Sequence, residues 1–412
     1  ALGLFALALA VGRDPEPAGP QGAADLRTGP GGPPRLLVVG VDAVGFEIFA
    51  RYRDAMPHLA AFADTAAHGR LVPAPPYLSP AIWTSIATGL PTEEHHVGNY
   101  ELYADLPGMA TIPIDRFYSD PATALGILPA VLAWRAGWLS VLPTTRLHRR
   151  GQPFWQATDA SVGVVCWPAT WPVEPQNGLL VSDRWPPDRS ETLFHYRADL
   201  PGQVWPPRHE ATLAPFKRSP AEPPDGEVLA MAPFTAEEVD AFHAALHDDL
   251  AAPKDQPFSN LHYAWLSDRS CLGAARWMLE VQQPELAVVY LLGPDLMGHA
   301  FLPDADGLVA GFDETDARRL AAVYPAFLRR LDQDLAWLLA AAGPETRTVV
   351  LADHGMAHQG TGLFSVWHAG DGLVLAQGPG LAPGEDLGRR PAEGWLDLLT
   401  MPAPGAHDTS PE

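Results

Sequence analysis

The sequence predicts an α/β protein: a three-layer α/β/α sandwich on a mainly parallel central sheet, with a Pro/Trp-rich cap region inserted into it. Three apolar runs predict the sheet, RLLVVGV before Asp42, ELAVVYLL before Asp295 and TRTVVLA before Asp353. Such runs lack polar alternation, which marks strands buried on both faces. Helical patterns at 56–66, 81–88, 236–250, 266–281 and 317–341 separate them, and alternating strands and helices call for a parallel sheet covered on both sides. All three runs close on an aspartate, and ligand sites of open α/β sheets lie at the carboxyl ends of their strands.

Along the chain, residues 1–34 come first. ALGLFALALAVG has no charge for twelve residues and leads into a Gly/Pro linker. It is too short to span a bilayer and resembles the tail of a signal peptide or anchor, so an exported or membrane-anchored, extracytoplasmic protein is expected, a cytoplasmic tail being the other reading. The core is expected from 35–101 and 234–400, with a tail at 401–412. Between the core segments, 102–233 carries clusters such as CWPATWPVEP and is expected as an inserted cap. Within it, Ala122 to Leu142 is apolar, but Pro129 and Arg135 interrupt it; a buried helix pair is preferred over an interfacial or membrane-spanning segment.

Composition excludes several functions. The 412 residues hold 49 acids against 27 Lys and Arg, a net charge of −22, which argues against a nucleic-acid polymer or an anionic membrane surface as the main partner. Lys217 and Lys254 are the only lysines, and no G-x-x-x-x-G-K-[ST] loop exists. Two cysteines cannot form a zinc knuckle or a disulfide framework; Cys166 and Cys271 are expected as buried free thiols, although the sequence leaves open whether they pair.

The polar residues at the strand ends suggest a metal site. Asp295 and His299 stand four apart and share a face if a helix begins there. Asp353 and His354 are adjacent in a strand-end loop, and His368 precedes another strand-like run. Carboxylate oxygens and imidazole nitrogens are zinc ligands. Each fragment alone is weak, because an Asp before a helix is commonly an N-cap and a lone His is commonly structural.

Together they carry a resemblance. VVGVDAVG, MPHLAAFADTAAHGRL, LSPAIWTSIATGLPTEEHHV, VYLLGPDLMGH, VVLADHGM and WHAGDGLVLAQGPG, in this order over about 34–380, resemble the alkaline phosphatase superfamily, within its type I phosphodiesterase/nucleotide pyrophosphatase group. The resemblance implies two Zn2+ ions, or another divalent metal: Asp42, Asp353 and His354 on one, with the Ser79 oxygen, and Asp295, His299 and His368 on the other. It implies Ser79 as nucleophile, where relatives commonly carry Thr. A free serine hydroxyl is a poor nucleophile, metal coordination activates it, and the start of a helix at Pro80 favours an anion. Thr84 and Ser85 are alternative hydroxyls inside that helix, and Ser79 as a simple N-cap is the bland reading.

Asn99 is a candidate contact to a phosphoryl oxygen, one step off the spacing expected of the family, with His96 in a glycine place. His95 is read as structural and His358 as peripheral. The expected activity is hydrolysis of a phosphodiester or pyrophosphate bond in a small phosphorylated substrate through a phosphoseryl intermediate. Phosphomonoesterase, phosphonate hydrolase, phosphomutase and a non-catalytic binding relative are the alternatives. A sulfatase is disfavoured, because Ser79-Pro80-Ala81 lacks the Cys/Ser-x-Pro-x-Arg pattern. The thirteen tryptophans are read as core and cap packing first, and as a stacking wall second.

Overall fold

The computed structural model describes residues 31–98, 101–104, 112–113, 140–186, 200–219, 221–247, 256–359 and 366–402. Its strands are β1 (Leu36–Val41), β2 (Ala67–Val72), β3 (Glu101–Ala104), β4 (Ile112–Pro113), β5 (Ser140–Pro143), β6 (Val162–Val165), β7 (Gly178–Val181), β8 (Val204–Trp205), β9 (Leu286–Leu291), β10 (Arg347–Leu351), β11 (His354–His358), β12 (Val366–Gln377) and β13 (Asp386–Pro391). A ten-stranded sheet runs β13-β2-β12-β10-β1-β9-β6-β7-β8, with β11 paired to β12. Its centre, from β10 to β7, is parallel throughout. The expected mainly parallel sheet is therefore present, and every residue of β1 and β9 is buried, as their unalternating apolar sequences require.

Helices flank the sheet at Phe46–Arg51, Pro57–Ala63, Ser79–Thr88, Ala236–His247, Gln256–Trp277, Gly293–Phe301, Glu314–Leu320 and Val323–Ala340. The pattern at 317–341 is two helices, parted at Ala321 and Ala322. The Gln256–Trp277 helix begins ten residues before the predicted start and ends in a π-turn, Met278–Gln282, closed by Gln283 in the left-handed region.

The cap expectation needs correcting. Within 102–233, β6, β7 and β8 belong to the main sheet. VGVV and GLLV are only four residues long and sit among Pro/Trp loops, so loop composition masks two fully buried strands. A separate three-stranded sheet, β4-β3-β5, comes from the same stretch. The apolar segment from Ala122 lies outside the described residues except at its end, where Ser140–Pro143 is a strand. Among the described residues no helix is long and apolar enough to cross a membrane. Residues 1–30 and 403–412 lie outside the described part.

Register sets the site. Gly40 pairs with Leu351 in parallel, so two residues further on Asp42 and Asp353 leave the sheet side by side. Val41 pairs with Leu291, which brings the β9 exit and Asp295 to the same end. β12 runs antiparallel to β10, with Val374 opposite Leu351, so its first residues overhang that end and carry His368 there.

The expectation of free thiols is also corrected: Cys166 and Cys271 form a disulfide across 105 residues, with Cα atoms 6.1 Å apart. Cys166 follows β6, and the helix bearing Cys271 packs against β6 and β9, so tertiary structure alone brings the pair together. Cross-links over long loops restrict the unfolded chain most. Replacing both cysteines with Ala is expected to lower the unfolding free energy by about 2–5 kcal/mol in denaturant titrations; unchanged stability, with two thiols titrating in the native wild type, would contradict the cross-link.

Candidate metal centre and active site

Asp42 is fully buried where β1 ends. The chain turns at once, with Ala43 in the left-handed region at φ 61°, and the Ala43 amide donates to Asp353 Oδ1 at 3.2 Å. Gly45 follows because a Cβ there would stand 2.5 Å from the Asp371 carbonyl and the Gly355 amide; only glycine lets the loop pack this closely on the start of β11.

Ser79 is the first residue of its helix, followed by Pro80. The ring fixes φ for the first turn and lacks an N–H that would stand unpaired there. The Ser79 hydroxyl lies 3.2 Å from Asp42 Oδ1 and 3.2 Å from His354 Nε2. His354 Nε2 is also 3.2 Å from Asp353 Oδ2. Asp42, Asp353, His354 and Ser79 thus form one cluster. Thr84 and Ser85 are buried further along the same helix, and Ser85 bonds His95.

The second cluster is Asp295, His299 and His368. Pro294 opens the Gly293–Phe301 helix, which puts Asp295 and His299 on one face; Asp295 Oδ1 is 3.4 Å from His299 Nε2 and 3.2 Å from His368 Nε2. Ligand atoms of Asp295, His299 and His368 lie within 4.8 Å of one another, as do those of Asp42, Asp295 and His354. Asp295 therefore joins two clusters that the sequence presents as separate, and the His354 and His368 rings stack at 3.9 Å.

The histidine tautomers decide what these atoms can hold. Nδ1 of His299 faces the Val366 carbonyl at 2.8 Å, Nδ1 of His368 the Tyr77 carbonyl at 2.5 Å, and Nδ1 of His354 the Gly355 carbonyl at 3.1 Å. A carbonyl only accepts, so each Nδ1 carries a proton, and in the neutral form of each ring Nε2 is the lone pair available to a cation. Yet His299 Nε2 and His368 Nε2 point at each other across 3.0 Å. Asp295 Oδ1 and Asp353 Oδ2, both buried, accept no hydrogen bond among the described residues. Converging lone pairs and orphaned buried carboxylate oxygens fit a cation, and backbone-anchored imidazoles are how such ligands are oriented. The residues present fit a divalent metal site.

Electrostatics show the same demand for positive charge beside the carboxylates: burial works to lower the His368 imidazole, but Asp295 in turn raises it. Burial, with Asp353 and Asp295 nearby, raises the Asp42 carboxyl well above its ordinary range. Burial also works to raise Asp295, but the His299 and His368 imidazoles outweigh it and hold the carboxyl well below. Desolvation pulls His354 down to about 4, which keeps its Nε2 free of a proton at neutral pH.

The model of the type I phosphodiesterase / nucleotide pyrophosphatase family matches residues 36–366. The chain belongs to that family. Similar solved structures include phosphonoacetate hydrolase from Sinorhizobium meliloti 1021 in complex with phosphonoacetate, at 15% identity and TM-score 0.39, covering 80% of this chain and 58% of that one. The same enzyme with phosphonoformate matches at 15% identity and TM-score 0.38, covering 79% and 58%. The chain thus spans less than two thirds of those structures. No curated protein matches the sequence.

Within this family member the remaining sequence candidates fall as follows. Asn99 lies outside the described residues. His358 turns away, with Nε2 2.9 Å from the Leu302 carbonyl. His96 is exposed and closes the short Thr92–His95 helix at φ 65°, a conformation that glycine adopts without strain. Two residues the sequence reading passed over touch Asp42 directly: Trp83 Nε1 donates to Oδ2 at 3.3 Å, and so does the Tyr290 hydroxyl. A signal existed, since Trp83 stands one helical turn after Ser79 and Tyr290 next to the end of β9.

His95 supports the Ser79 helix from behind. Its Nδ1 accepts the Val97 amide at 3.1 Å and its Nε2 meets Ser85 Oγ at 2.9 Å. Burial lowers it from 6.5 to about 4, so between those values the unfolded chain binds a proton that the folded chain does not, and this contribution to stability is lost as pH falls from 6.5 to 4. The stability difference between wild type and His95→Gln should therefore grow by roughly 3 kcal/mol from pH 4 to pH 6.5 in urea titrations; a difference independent of pH would refute a buried neutral His95.

Proposed function

We propose that the protein is a zinc-dependent hydrolase of a phosphodiester or pyrophosphate bond in a small phosphorylated molecule, with Ser79 as its nucleophile. The observation that carries this reading is the Ser79 hydroxyl, 3.2 Å from both Asp42 Oδ1 and His354 Nε2, beside two groups of carboxylates and imidazoles, one buried and one half-buried, whose converging oxygens and Nε2 atoms suit cations.

In this reading Asp42, Asp353 and His354 hold one zinc beside Ser79, and Asp295, His299 and His368 hold the other. The pair supplies charge for the attacking and leaving oxygens of an in-line displacement. The chain's own part is positional. Ser79 sits at the N-terminus of a ten-residue helix, where the backbone dipole favours an incoming anion. Its hydroxyl releases its proton to solvent as the oxygen attacks phosphorus, a P–O bond to serine forms, the P–O bond to the leaving alcohol or phosphate oxygen breaks and that oxygen takes up a proton from solvent, and water then hydrolyses the phosphoseryl ester and restores the hydroxyl. Asp353 holds the Asp42–Ala43 turn through the Ala43 amide, so the ligand loop stays in place during both displacements. Most of the acceleration is then electrostatic and positional.

Diesters are favoured over monoesters because the ion pairs described for Asp42, Asp295 and Asp353 all have histidine partners. No arginine or lysine is described beside these carboxylates to meet the extra charge of a monoester dianion. The Cys166–Cys271 disulfide supports an extracytoplasmic location, since such bonds persist in oxidising compartments.

The test is hydrolysis of a bis-nitrophenyl phosphodiester beside the nitrophenyl monoester, with zinc measured in the same preparations. Wild type should bind two zinc ions, cleave the diester faster and lose activity to a chelator. Ser79→Ala should keep its zinc and lose turnover to background. Near-normal rates in Ser79→Ala would remove the mechanism; a zinc-free wild type that cleaves neither ester would favour a non-catalytic binding relative.

A further inference from the structure

Asp42 has two oxygens with separate surroundings. Oδ1 faces Ser79 and His354, at 3.2 and 3.5 Å. Oδ2 points the other way and receives two donors, Trp83 Nε1 at 3.3 Å and the Tyr290 hydroxyl. These donors come from different elements. Trp83 lies on the Ser79 helix four residues after Ser79, so both side chains leave one face of that helix and both bond the same carboxylate. Tyr290 lies on β9, in register with Gly40 on β1.

The packing shows how the two rings reach Oδ2. A Cβ at position 40 would stand 2.9 Å from the Trp83 ring and 3.3 Å from Tyr290, so the absent side chain of Gly40 makes the slot for both. Trp83 packs edge-on against Tyr290 at 5.2 Å and against Trp167 at 5.0 Å, and its carbonyl accepts Trp167 Nε1 at 3.2 Å. All three aromatic residues are buried. Neither ring can turn away without opening a void in a dry cluster.

We propose that Trp83 and Tyr290 are positioning residues: by holding Oδ2 of Asp42 they fix the rotation of its carboxylate, present Oδ1 to Ser79 and the adjoining cation, and lock the nucleophile's helix to β1. A carboxylate free to turn would offer either oxygen and bind a cation less tightly, because partners behind a ligand orient it before the ion arrives. Trp83 thereby couples the position of Ser79 to that of Asp42 along a single helical turn.

The inference rests on the two-zinc reading, so its experiment separates the two. Zinc affinity of the full chain is measured by chelator competition for wild type, Tyr290→Phe, Trp83→Phe and Trp155→Phe, alongside thermal unfolding of each zinc-free protein. Trp155 is buried in the same cluster, 5.6 Å from Trp167, and its Nε1 has no hydrogen-bond partner among the described residues, so its variant reports packing alone. Tyr290→Phe removes one oxygen and serves if Trp83→Phe fails to fold. Tyr290→Phe and Trp83→Phe should bind the first zinc about 10- to 100-fold more weakly, with Trp155→Phe at the wild-type affinity. Wild-type affinity in Tyr290→Phe, or an equal loss in Trp155→Phe, would overturn the positioning role. A wild type that binds no zinc would overturn the metal reading itself, and this inference with it.

Discussion

Three carboxylates, those of Asp42, Asp295 and Asp353, are buried, Asp42 with a ligand atom within 4.8 Å of one on Asp295 and beside Asp353 at the same His354 Nε2, and the rest of the site depends on that crowding. Desolvation and mutual repulsion both oppose ionisation, and unpaired buried charge costs several kcal/mol per group. Imidazoles relieve this only where they carry charge, as around Asp295, which lies between two of them. In their neutral form the three histidines, with Nδ1 protons committed to carbonyls, offer lone pairs, not donors, to the carboxylates. The arrangement makes physical sense around positive charge, and less sense as a self-contained hydrogen-bond network.

Holding such a cluster open requires a rigid frame, and the fold supplies it from several directions. Parallel register between β1, β9 and β10 delivers the aspartates to one sheet end. The overhanging start of β12 returns His368 to that end, and His368 is tied through Nδ1 to the Tyr77 carbonyl, two residues from Ser79. One imidazole thus links the Asp295 cluster to the turn that launches the helix of Ser79. On the other side, the disulfide joins the end of β6 to the Gln256–Trp277 helix, and the next residue, Trp167, packs against Trp83.

Much of the site was legible because its determinants are local. An apolar run ending in Asp, an Asp and a His four apart, and Ser before Pro at a helix start are short-range patterns with direct geometric consequences. The central strands were legible for the same reason. What escaped was information held in tertiary contacts. The residues of β6 and β7 are four apiece, too few to outweigh the Pro/Trp loops around them. The cysteines are 105 residues apart, and nothing near either one indicates its partner. Trp83 and Tyr290 read as ordinary core aromatics until the register of β1 and β9 shows which atom their polar edges meet. Asp295 read as a member of one cluster, whereas its position between two follows from the β1–β9 register, which sets it near Asp42, and the approach of β12 to β10, which sets His368 beside it.

The strongly acidic composition has to be reconciled with the anionic substrate proposed for the site. A net charge of −22 repels polyanions at long range, but that field is screened over about 8–10 Å in physiological salt. At shorter range the local balance governs, and two divalent cations against three carboxylates leave the proposed site one charge positive. Many of the acids act elsewhere: Asp313 and Asp225 cap helices, Asp332 accepts the amides of His58 and Leu59, and Glu238 pairs with Arg319. Acids at such positions serve folding and solubility without facing the ligand clusters. A long nucleic-acid strand would have to cross this outer field over many phosphates, whereas a small ester need bring only one to the helix that begins at Ser79.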